Sequence, residues 1–131
     1  MIKSGIDIIQ ISHIAEKINK NAEFLDIILT EQEKKYCNSK VGTISDEQKK
    51  YQSVAGIYAV KEAFFKAIGV GIKSLSDFQR IEVKHFENGE PYLEILNKNI
   101  VNGIKGELIS TSISISHDGD MAIAICTLEI Q

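Results

Sequence analysis

The sequence places ionisable side chains inside apolar stretches, where a charge needs a partner. Asp7 lies within Gly5–Ile9, a run whose other members are glycine and isoleucine. Burying a carboxylate there costs free energy unless a cation or hydrogen-bond donors pair with it. Asp7 is therefore either a turn or capping residue at the end of a strand or a metal ligand, and the pattern alone favours neither.

The segment Tyr58–Ala67 sets three charged residues among aromatic ones. Glu62 and Lys66 are four residues apart, so they share one face of a helix. The usual interpretation is an exposed ion pair that stabilises the helix by roughly 0.3–0.5 kcal/mol. The functional alternative is a carboxylate and an ammonium that act on a ligand. Because Lys61 stands in the same apolar helix, at least one of the three charges must face packed surface and find a partner there.

Two further segments suit ligand binding but also have structural explanations. Gly69 and Gly71 allow positive φ and close approach of the backbone, yet glycines are also typical of a helix C-terminus. Phosphate sites usually lie at helix N-termini, which weakens a phosphate-binding interpretation of this loop. His117 precedes the hairpin signal Asp118-Gly119, and its spacing alone favours a surface histidine over a ligand-binding residue. No serine stands in a Gly-x-Ser-x-Gly elbow, which disfavours a serine hydrolase.

The elements that must position these residues follow from capping signals and periodicity. Three segments are predicted as helices, because each begins with a capping residue or a capping box and continues with helical spacing. The first runs from Ser12 to about Lys20, and the second from Glu31 to about Cys37, with the capping box Thr30/Glu33. The longest helix follows the capping box Ser45/Gln48. Gly69 and Gly71 are expected to end the longest helix.

Strand patterns fill the start and the second half of the chain. Five segments are predicted as strands: Met1–Ile11, Arg80–Phe86, Tyr92–Leu96, Ser112–Ser116 and Met121–Ile130. Asn88-Gly89 and Asp118-Gly119 predict hairpins, and a short helix is expected within 97–108. The small side chains within 112–116 and 122–126 predict that the long helix packs closely against these two strands. The class is α+β, an antiparallel sheet packed against one long helix and shorter helices.

Composition limits the function classes. The 131 residues, 44% hydrophobic and 25% charged, fit one domain, 1–131, whose modest core would benefit from oligomerisation. A net charge of −3 disfavours non-specific binding to nucleic acid or acidic membranes. Arg80 is the single arginine, so phosphate recognition must rest mainly on lysines and backbone N–H groups. Two cysteines without Cys-x-x-Cys spacing, no signal peptide and no membrane-spanning run indicate the cytoplasm.

Four segments together resemble the bacterial holo-acyl-carrier-protein synthases, the short class of 4′-phosphopantetheinyl transferases. They occur in the family's order and cover nearly the whole chain. They are Gly5-Ile6-Asp7-Ile8, Lys-Glu-Ala-x-x-Lys-Ala at 61–67, Asn-Gly-x-Pro-Tyr at 88–92, and Ser-Ile-Ser-His at 114–117.

The resemblance implies a reaction and a set of roles. A serine of an apo-acyl carrier protein would take 4′-phosphopantetheine from coenzyme A with Mg²⁺, releasing adenosine 3′,5′-bisphosphate, in support of fatty acid biosynthesis. Asp7 and Glu62 would hold Mg²⁺ with coenzyme A phosphates and waters, and these two residues and Lys66 would be catalytic. The implied coenzyme A contacts are Lys66, Gly69, Gly71, Ile72, Pro91 and His117. The implied carrier-protein contacts are His13, Lys17 and Lys20, and the family is typically a homotrimer with sites between subunits.

The chain departs from the family at one charged position. Ile57 stands where members often have arginine, and the first helix offers His13, Lys17 and Lys20 in place of arginines. Contacts to the coenzyme A 3′-phosphate and to the carrier protein are therefore less firmly implied than the metal site.

Two other functions fit the same residues. A different Mg²⁺-dependent phosphotransferase would use the same carboxylates and bind a nucleotide or simple phosphate ester as well as coenzyme A. A non-enzymatic trimeric scaffold would use Glu62 and Lys66 as a structural pair only.

Overall fold

The computed structural model describes residues 1–39 and 44–131, with side chains outside 40–46. Within them, nine elements follow in the order β1 (Ile2–Gln10), α1 (Ile11–Lys20), α2 (Phe24–Ile28), α3 (Glu31–Asn38), α4 (Ile44–Ile68), β2 (Ile81–His85), β3 (Pro91–Ile95), β4 (Leu108–Asp118) and β5 (Met121–Ile130). Two 3₁₀ helices, Leu75–Gln79 and Lys98–Val101, lie in the connections. None of the described helices is long and apolar enough to cross a membrane.

The strands form two antiparallel sheets. The larger has the order β1-β5-β4, and β2 and β3 form a separate hairpin. The Asn88-Gly89 turn closes this hairpin, with Gly89 at φ 89°. In the larger sheet Asp7 lies opposite Ala124, which in turn lies opposite Ile115. The predicted α+β class with an antiparallel sheet is confirmed.

Helix α4 lies directly on the inner face of the larger sheet. A Cβ built on Gly5 would stand 1.9 Å from the Ala63 carbonyl oxygen, so the backbones of β1 and α4 are in contact there. Alanines on both surfaces make this approach feasible, and Ala63, Ala67, Ala122 and Ala124 are all buried. The predicted close packing against the small residues of β5 is confirmed.

The predicted packing of the long helix against small side chains was wrong for the serines of β4. Ser112 and Ser114 lie opposite Thr127 and Ile125 on the outer face, while Ile113 and Ile115 face α4. Side chains alternate between faces, so the register of one strand against its neighbour decides which set points inward. The outer face consequently combines small polar residues with exposed isoleucines, among them Ile6 at 56% and Ile8 at 59% exposure.

Lys61 is the charge of the Tyr58–Ala67 segment that faces packed surface. It is 0% exposed, and its ammonium donates to Glu33 Oε1 at 2.6 Å and to the carbonyls of Ile28 at 2.8 Å and Phe78 at 2.7 Å. Burial lowers the pKa of Lys61 and raises the pKa of Glu33, each against the attraction of the other. Lys61 thus ties α4 to α2, α3 and the 3₁₀ helix Leu75–Gln79, and the predicted partner for a buried charge is confirmed.

Glu33 owes its position to a confirmed capping box. The Glu33 N–H donates to Thr30 Oγ1 at 3.2 Å, and the Thr30 N–H donates to Glu33 Oε1 at 2.8 Å. The second Glu33 oxygen accepts from the Val83 N–H at 2.7 Å. The carboxylate therefore closes the start of α3 and also holds β2.

Two local expectations differ from the structure. Ser12 does not cap α1, which begins at Ile11; its N–H and hydroxyl donate to the Asp120 carboxylate at 2.9 and 2.6 Å, so a residue distant in sequence closes the helix end. Within 97–108 the structure has only the 3₁₀ helix Lys98–Val101. Helix α2 was not predicted, because a segment this short carries little periodicity. The side chain of Ser45 lies outside the described residues, so its predicted capping box stays a prediction.

Candidate active site

Asp7 and Lys66, which are distant in sequence, meet where β1 packs on α4. The Lys66 ammonium lies 3.1 Å from Asp7 Oδ1 and donates to the Ile6 carbonyl at 2.9 Å. The Asp7 side chain is 16% exposed and that of Lys66 is 55% exposed. Lys66 therefore pairs across two elements, and its ammonium stays accessible to a ligand.

Glu62 lies four residues before Lys66 on α4, so the two side chains share one face of that helix. Tyr58 lies one helical turn before Glu62 on the same face. Burial and the charge of Glu62 raise the pKa of Tyr58, and the charge of Asp7 adds to the effect.

The two carboxylates are held by backbone contacts and by a buried ion pair. Gly5, two residues before Asp7, fixes the distance between β1 and α4. Lys61, immediately before Glu62, fixes the rotation of α4 through its three buried acceptors. Asp7 and Glu62 therefore present oxygen ligands from rigid elements, and one or two carboxylates completed by phosphates and water suit Mg²⁺. The Lys66 ammonium at Asp7 shows that this position accepts a cation.

The glycine loop lies beyond the end of α4. Gly69 and Gly71 have φ of 78° and 65°, and the predicted end of the helix at these glycines is confirmed. Both glycines are exposed and Ile72 is partly buried. A Cβ on Gly69 would lie 3.4 Å from the Lys3 ammonium, which brings a second lysine to this loop.

His117 and Pro91 line a groove of about 180 Å³ on another part of the surface. His117 Nε2 lies 3.0 Å from the Gln52 carbonyl oxygen, near the start of the described part of α4. Tyr36 and His85 line the same groove with stacked rings, their centroids 3.8 Å apart. Sequence reasoning did not find this pair, because it joins α3 to β2 only in the folded chain.

Helix α4 separates this groove from the carboxylate cluster. With 3.6 residues per turn, Tyr58 and Glu62 occupy one flank of the helix, and Ser53 and Ile57, which line the groove, occupy the other. In the sheet, Asp7 and Ile115 are separated by the full width of β5, roughly 10 Å at the usual strand spacing. The predicted site residues therefore form two groups within one chain.

The three candidate carrier-protein residues share helix α1. His13, Lys17 and Lys20 are exposed and line a groove of about 290 Å³ with Ile9 and Glu16. Lys20 is paired with Glu16 at 2.5 Å, and the Lys17 ammonium lies 5.9 Å from the centroid of the Tyr58 ring. Helix α1 thus contacts α4 at Tyr58, one helical turn before Glu62.

Comparison with known proteins finds one family. Residues 3–126 match the model of the 4′-phosphopantetheinyl transferase superfamily. A holo-[acyl-carrier-protein] synthase of Campylobacter hominis is 39% identical over 127 residues, covering 96% of both chains. The corresponding protein of Chloroherpeton thalassium is 38% identical over 122 residues, covering 92% of this chain and 93% of the relative.

Solved structures agree with the sequence comparison. A Bacillus anthracis holo-(acyl-carrier-protein) synthase in complex with CoA (3′,5′-ADP) has a TM-score of 0.76 at 33% identity, with 98% of this chain and 96% of that chain covered. A Helicobacter pylori holo-[acyl-carrier-protein] synthase in complex with coenzyme A has a TM-score of 0.77 at 30% identity, with 98% and 100% covered. These matches establish that the chain belongs to the 4′-phosphopantetheinyl transferase superfamily, among the holo-[acyl-carrier-protein] synthases.

Proposed function

We propose that this protein transfers 4′-phosphopantetheine from coenzyme A to a serine of an apo-acyl carrier protein with Mg²⁺ held by Asp7 and Glu62. The observation that carries the proposal is the Lys66–Asp7 ion pair at the contact of β1 with α4, with Glu62 one helical turn before Lys66. Two carboxylates beside an accessible ammonium provide both metal ligands and a phosphate contact, in a chain of this family.

In the proposed reaction the serine oxygen attacks the β-phosphorus of coenzyme A. The bond from that phosphorus to the bridging oxygen breaks, and adenosine 3′,5′-bisphosphate leaves with this oxygen. Bound Mg²⁺ would neutralise pyrophosphate charge, the main requirement when positioning and electrostatics dominate phosphoryl transfer. Glu62 would orient a water that relays the serine proton to solvent, and the exposed Lys66 ammonium would contact the pyrophosphate.

Coenzyme A is proposed to extend from this cluster along the glycine loop. Gly69, Gly71 and Ile72 would line its path next to the pyrophosphate, with the Lys3 ammonium beside Gly69. Pro91 and His117 would hold the adenosine end in the groove of about 180 Å³. The isoleucine at position 57, which lines that groove, supplies no charge to the 3′-phosphate.

The separation of these two groups supports a site shared between copies of the chain. The groove and the carboxylate cluster lie on opposite flanks of α4. One ligand molecule therefore reaches both more directly if one subunit contributes the groove and the adjacent subunit contributes the cluster. The outer face of the larger sheet offers an interface, since Ile6, Ile8 and Ile125 are 56%, 59% and 41% exposed. Contiguous exposed apolar surface is typical of interaction sites. We propose the homotrimer that the resemblance implies.

The carrier protein is proposed to bind α1. The side chains of His13, Lys17 and Lys20 are basic or neutral, which suits an acidic partner. That partner must bring its serine to the carboxylate cluster. We place the reaction in the cytoplasm and in fatty acid biosynthesis. Two cysteines without Cys-x-x-Cys spacing are typical of a protein in a reducing compartment.

Intact-mass spectrometry tests the reaction. The protein is mixed with apo-acyl carrier protein and coenzyme A, with and without Mg²⁺, and the carrier mass is measured. We expect a gain of one phosphopantetheine only with Mg²⁺, and its loss in Glu62→Gln with the fold retained.

Glu47→Gln is the matched control, because Glu47 is an exposed carboxylate on the same helix and accepts a hydrogen bond from Tyr51. Equal turnover by Glu62→Gln and Glu47→Gln would contradict the metal role of Glu62. Absence of coenzyme A binding in the unmodified protein would contradict the proposed function itself. Equal use of a nucleotide or simple phosphate ester would favour a different phosphotransferase.

A further inference from the structure

A second lysine reaches the glycine loop at the end of α4, and it comes from β1. Lys3 lies four residues before Asp7 on the same face of the strand, the face that packs on α4. A Cβ built on Gly69 would lie 3.4 Å from the Lys3 ammonium, so this ammonium lies directly against the loop. Lys66 stands in the last turn of α4, just before Gly69. Two different elements therefore bring ammonium groups to this end of the helix.

The Lys3 ammonium is available to a ligand. Among residues 1–39 and 47–131, no carboxylate lies within ion-pair distance of it, whereas Lys66 is paired with Asp7 and Lys61 with Glu33. Its side chain is half-buried, so its position is defined and solvent still reaches it. A purely structural explanation also exists, because a cation stabilises the C-terminus of a helix through the helix dipole.

The end of α4 would otherwise be unfavourable for a phosphate. The free carbonyls at a helix C-terminus carry a partial negative charge of roughly half a unit, which repels an anion. Gly69 and Gly71 allow the backbone to approach a ligand closely, but they supply no charge. A coenzyme A diphosphate that follows this loop therefore needs cations that offset the charge of the helix end. Lys66 and Lys3 supply such cations.

We propose that Lys3 is a further substrate-binding residue, whose ammonium contacts the diphosphate of coenzyme A at the glycine loop. The inference rests on the proposed function and adds a residue outside the four segments that carry the family resemblance. It also gives a physical reason why a diphosphate can lie at this end of α4. A site built on the helix alone would use the helix N-terminus, whereas here side-chain charge takes over that role.

The variants Lys3→Gln and Lys3→Arg separate charge from hydrogen bonding. Glutamine keeps N–H donors and removes the charge, whereas arginine keeps both. Coenzyme A is titrated calorimetrically into the whole protein with Mg²⁺ and without carrier protein, so that binding is measured without turnover. We expect the dissociation constant of coenzyme A to rise about tenfold in Lys3→Gln, as for one lost charge-assisted contact. It should change much less in Lys3→Arg.

Lys50→Gln is the matched control. Lys50 also has no carboxylate within ion-pair distance among residues 1–39 and 47–131, and it lines a separate pocket near the other end of α4. At 1.5 Å per residue it lies roughly 28 Å along the helix from Gly69, so its removal should leave the affinity for coenzyme A unchanged. The thermal midpoint of each ligand-free variant measures the effect on the helix end separately.

The outcomes separate the inference from the function on which it rests. Coenzyme A binding that weakens in Lys3→Gln, but not in Lys3→Arg or Lys50→Gln, supports the inference. Equal affinity in Lys3→Gln and the unmodified protein, whether or not the thermal midpoint falls, overturns the role of Lys3 alone. Equal weakening in Lys3→Arg or in Lys50→Gln overturns the assignment of the Lys3 charge to the diphosphate. Absence of binding in the unmodified protein overturns the proposed function and the inference together.

Discussion

Replacing Lys61 with methionine tests what holds the centre of α4. The Lys61 ammonium is fully buried and has three acceptors, the Glu33 carboxylate and the carbonyls of Ile28 and Phe78. Methionine keeps much of the apolar stem but removes the charge and all three donors. The Glu33 carboxylate is then left buried with backbone donors only.

The expected loss of stability in Lys61→Met follows from the unpaired charge of Glu33. Removing one partner of a buried ion pair costs roughly 3–5 kcal/mol, so we expect the free energy of unfolding to fall by about 4 kcal/mol. An unfolding entropy of about 2.1 cal/mol/K per residue over 131 residues gives about 0.28 kcal/mol/K. The thermal midpoint should therefore fall by roughly 15 °C, a large part of the stability of a domain of this size.

Urea unfolding of the single variants and of Lys61→Met combined with Glu33→Gln measures the coupling directly. The double variant should be more stable than Lys61→Met alone, because it no longer buries an unpaired charge. A fall of less than about 1 kcal/mol in Lys61→Met, with no coupling to Glu33, would refute the argument from burial.

The destabilisation should also depend on pH. Burial already raises the pKa of Glu33 above its ordinary value of 4.5, and Lys61 opposes that rise. In Lys61→Met this opposition is gone, so the folded state takes up a proton more readily than the unfolded state. Stability then decreases as pH rises from about 4.5 through the raised pKa. The loss in Lys61→Met should be smaller at pH 5 than at pH 8, and an equal loss at both would contradict a buried carboxylate.

Three further predictions concern packing, binding and assembly. Gly5→Ala should destabilise the protein by about 3 kcal/mol or more, measured by urea unfolding, because its Cβ would meet the Ala63 carbonyl at 1.9 Å; a loss of less than about 1 kcal/mol would refute the contact. Lys66→Ala should weaken coenzyme A binding about tenfold, as expected for a lost charge-assisted phosphate contact; unchanged affinity by calorimetry would remove Lys66 from the site. Ile6→Glu should convert the proposed trimer to monomers in analytical ultracentrifugation, since a carboxylate would enter the outer sheet face, whereas Ile109→Glu, at an exposed isoleucine near the start of β4, serves as a comparison for general surface charge.

Local patterns predicted the elements of the candidate site well. The strand around Asp7 and the helix that carries Glu62 and Lys66 follow from periodicity within one segment, and the capping box at Thr30 follows from residue types three apart. Each signal is complete within a few residues, so one sequence suffices to recognise it.

Features that depend on contacts between segments could not be predicted in the same way. The Ser12 hydroxyl bonds Asp120, which is 108 positions away, and the serines of β4 face outward because of their register against β5. The buried partner of Lys61 was expected, but its identity as Glu33 required the fold. The stacking of the Tyr58 ring on Phe78 likewise required the fold, because Phe78 lies in a separate element.

Gly5 bears on how freely this sequence can diverge. The distance between Asp7 and Glu62 is set where the backbones of β1 and α4 touch, and no loop contributes to it. Surface loops can therefore lengthen, shorten or exchange residues while the two carboxylates keep their separation. A single methyl group at position 5 would force the layers apart and change that separation, although Gly5 binds nothing. The site is thus robust to variation across most of the surface, while the separation of its carboxylates depends on a position that carries no functional group.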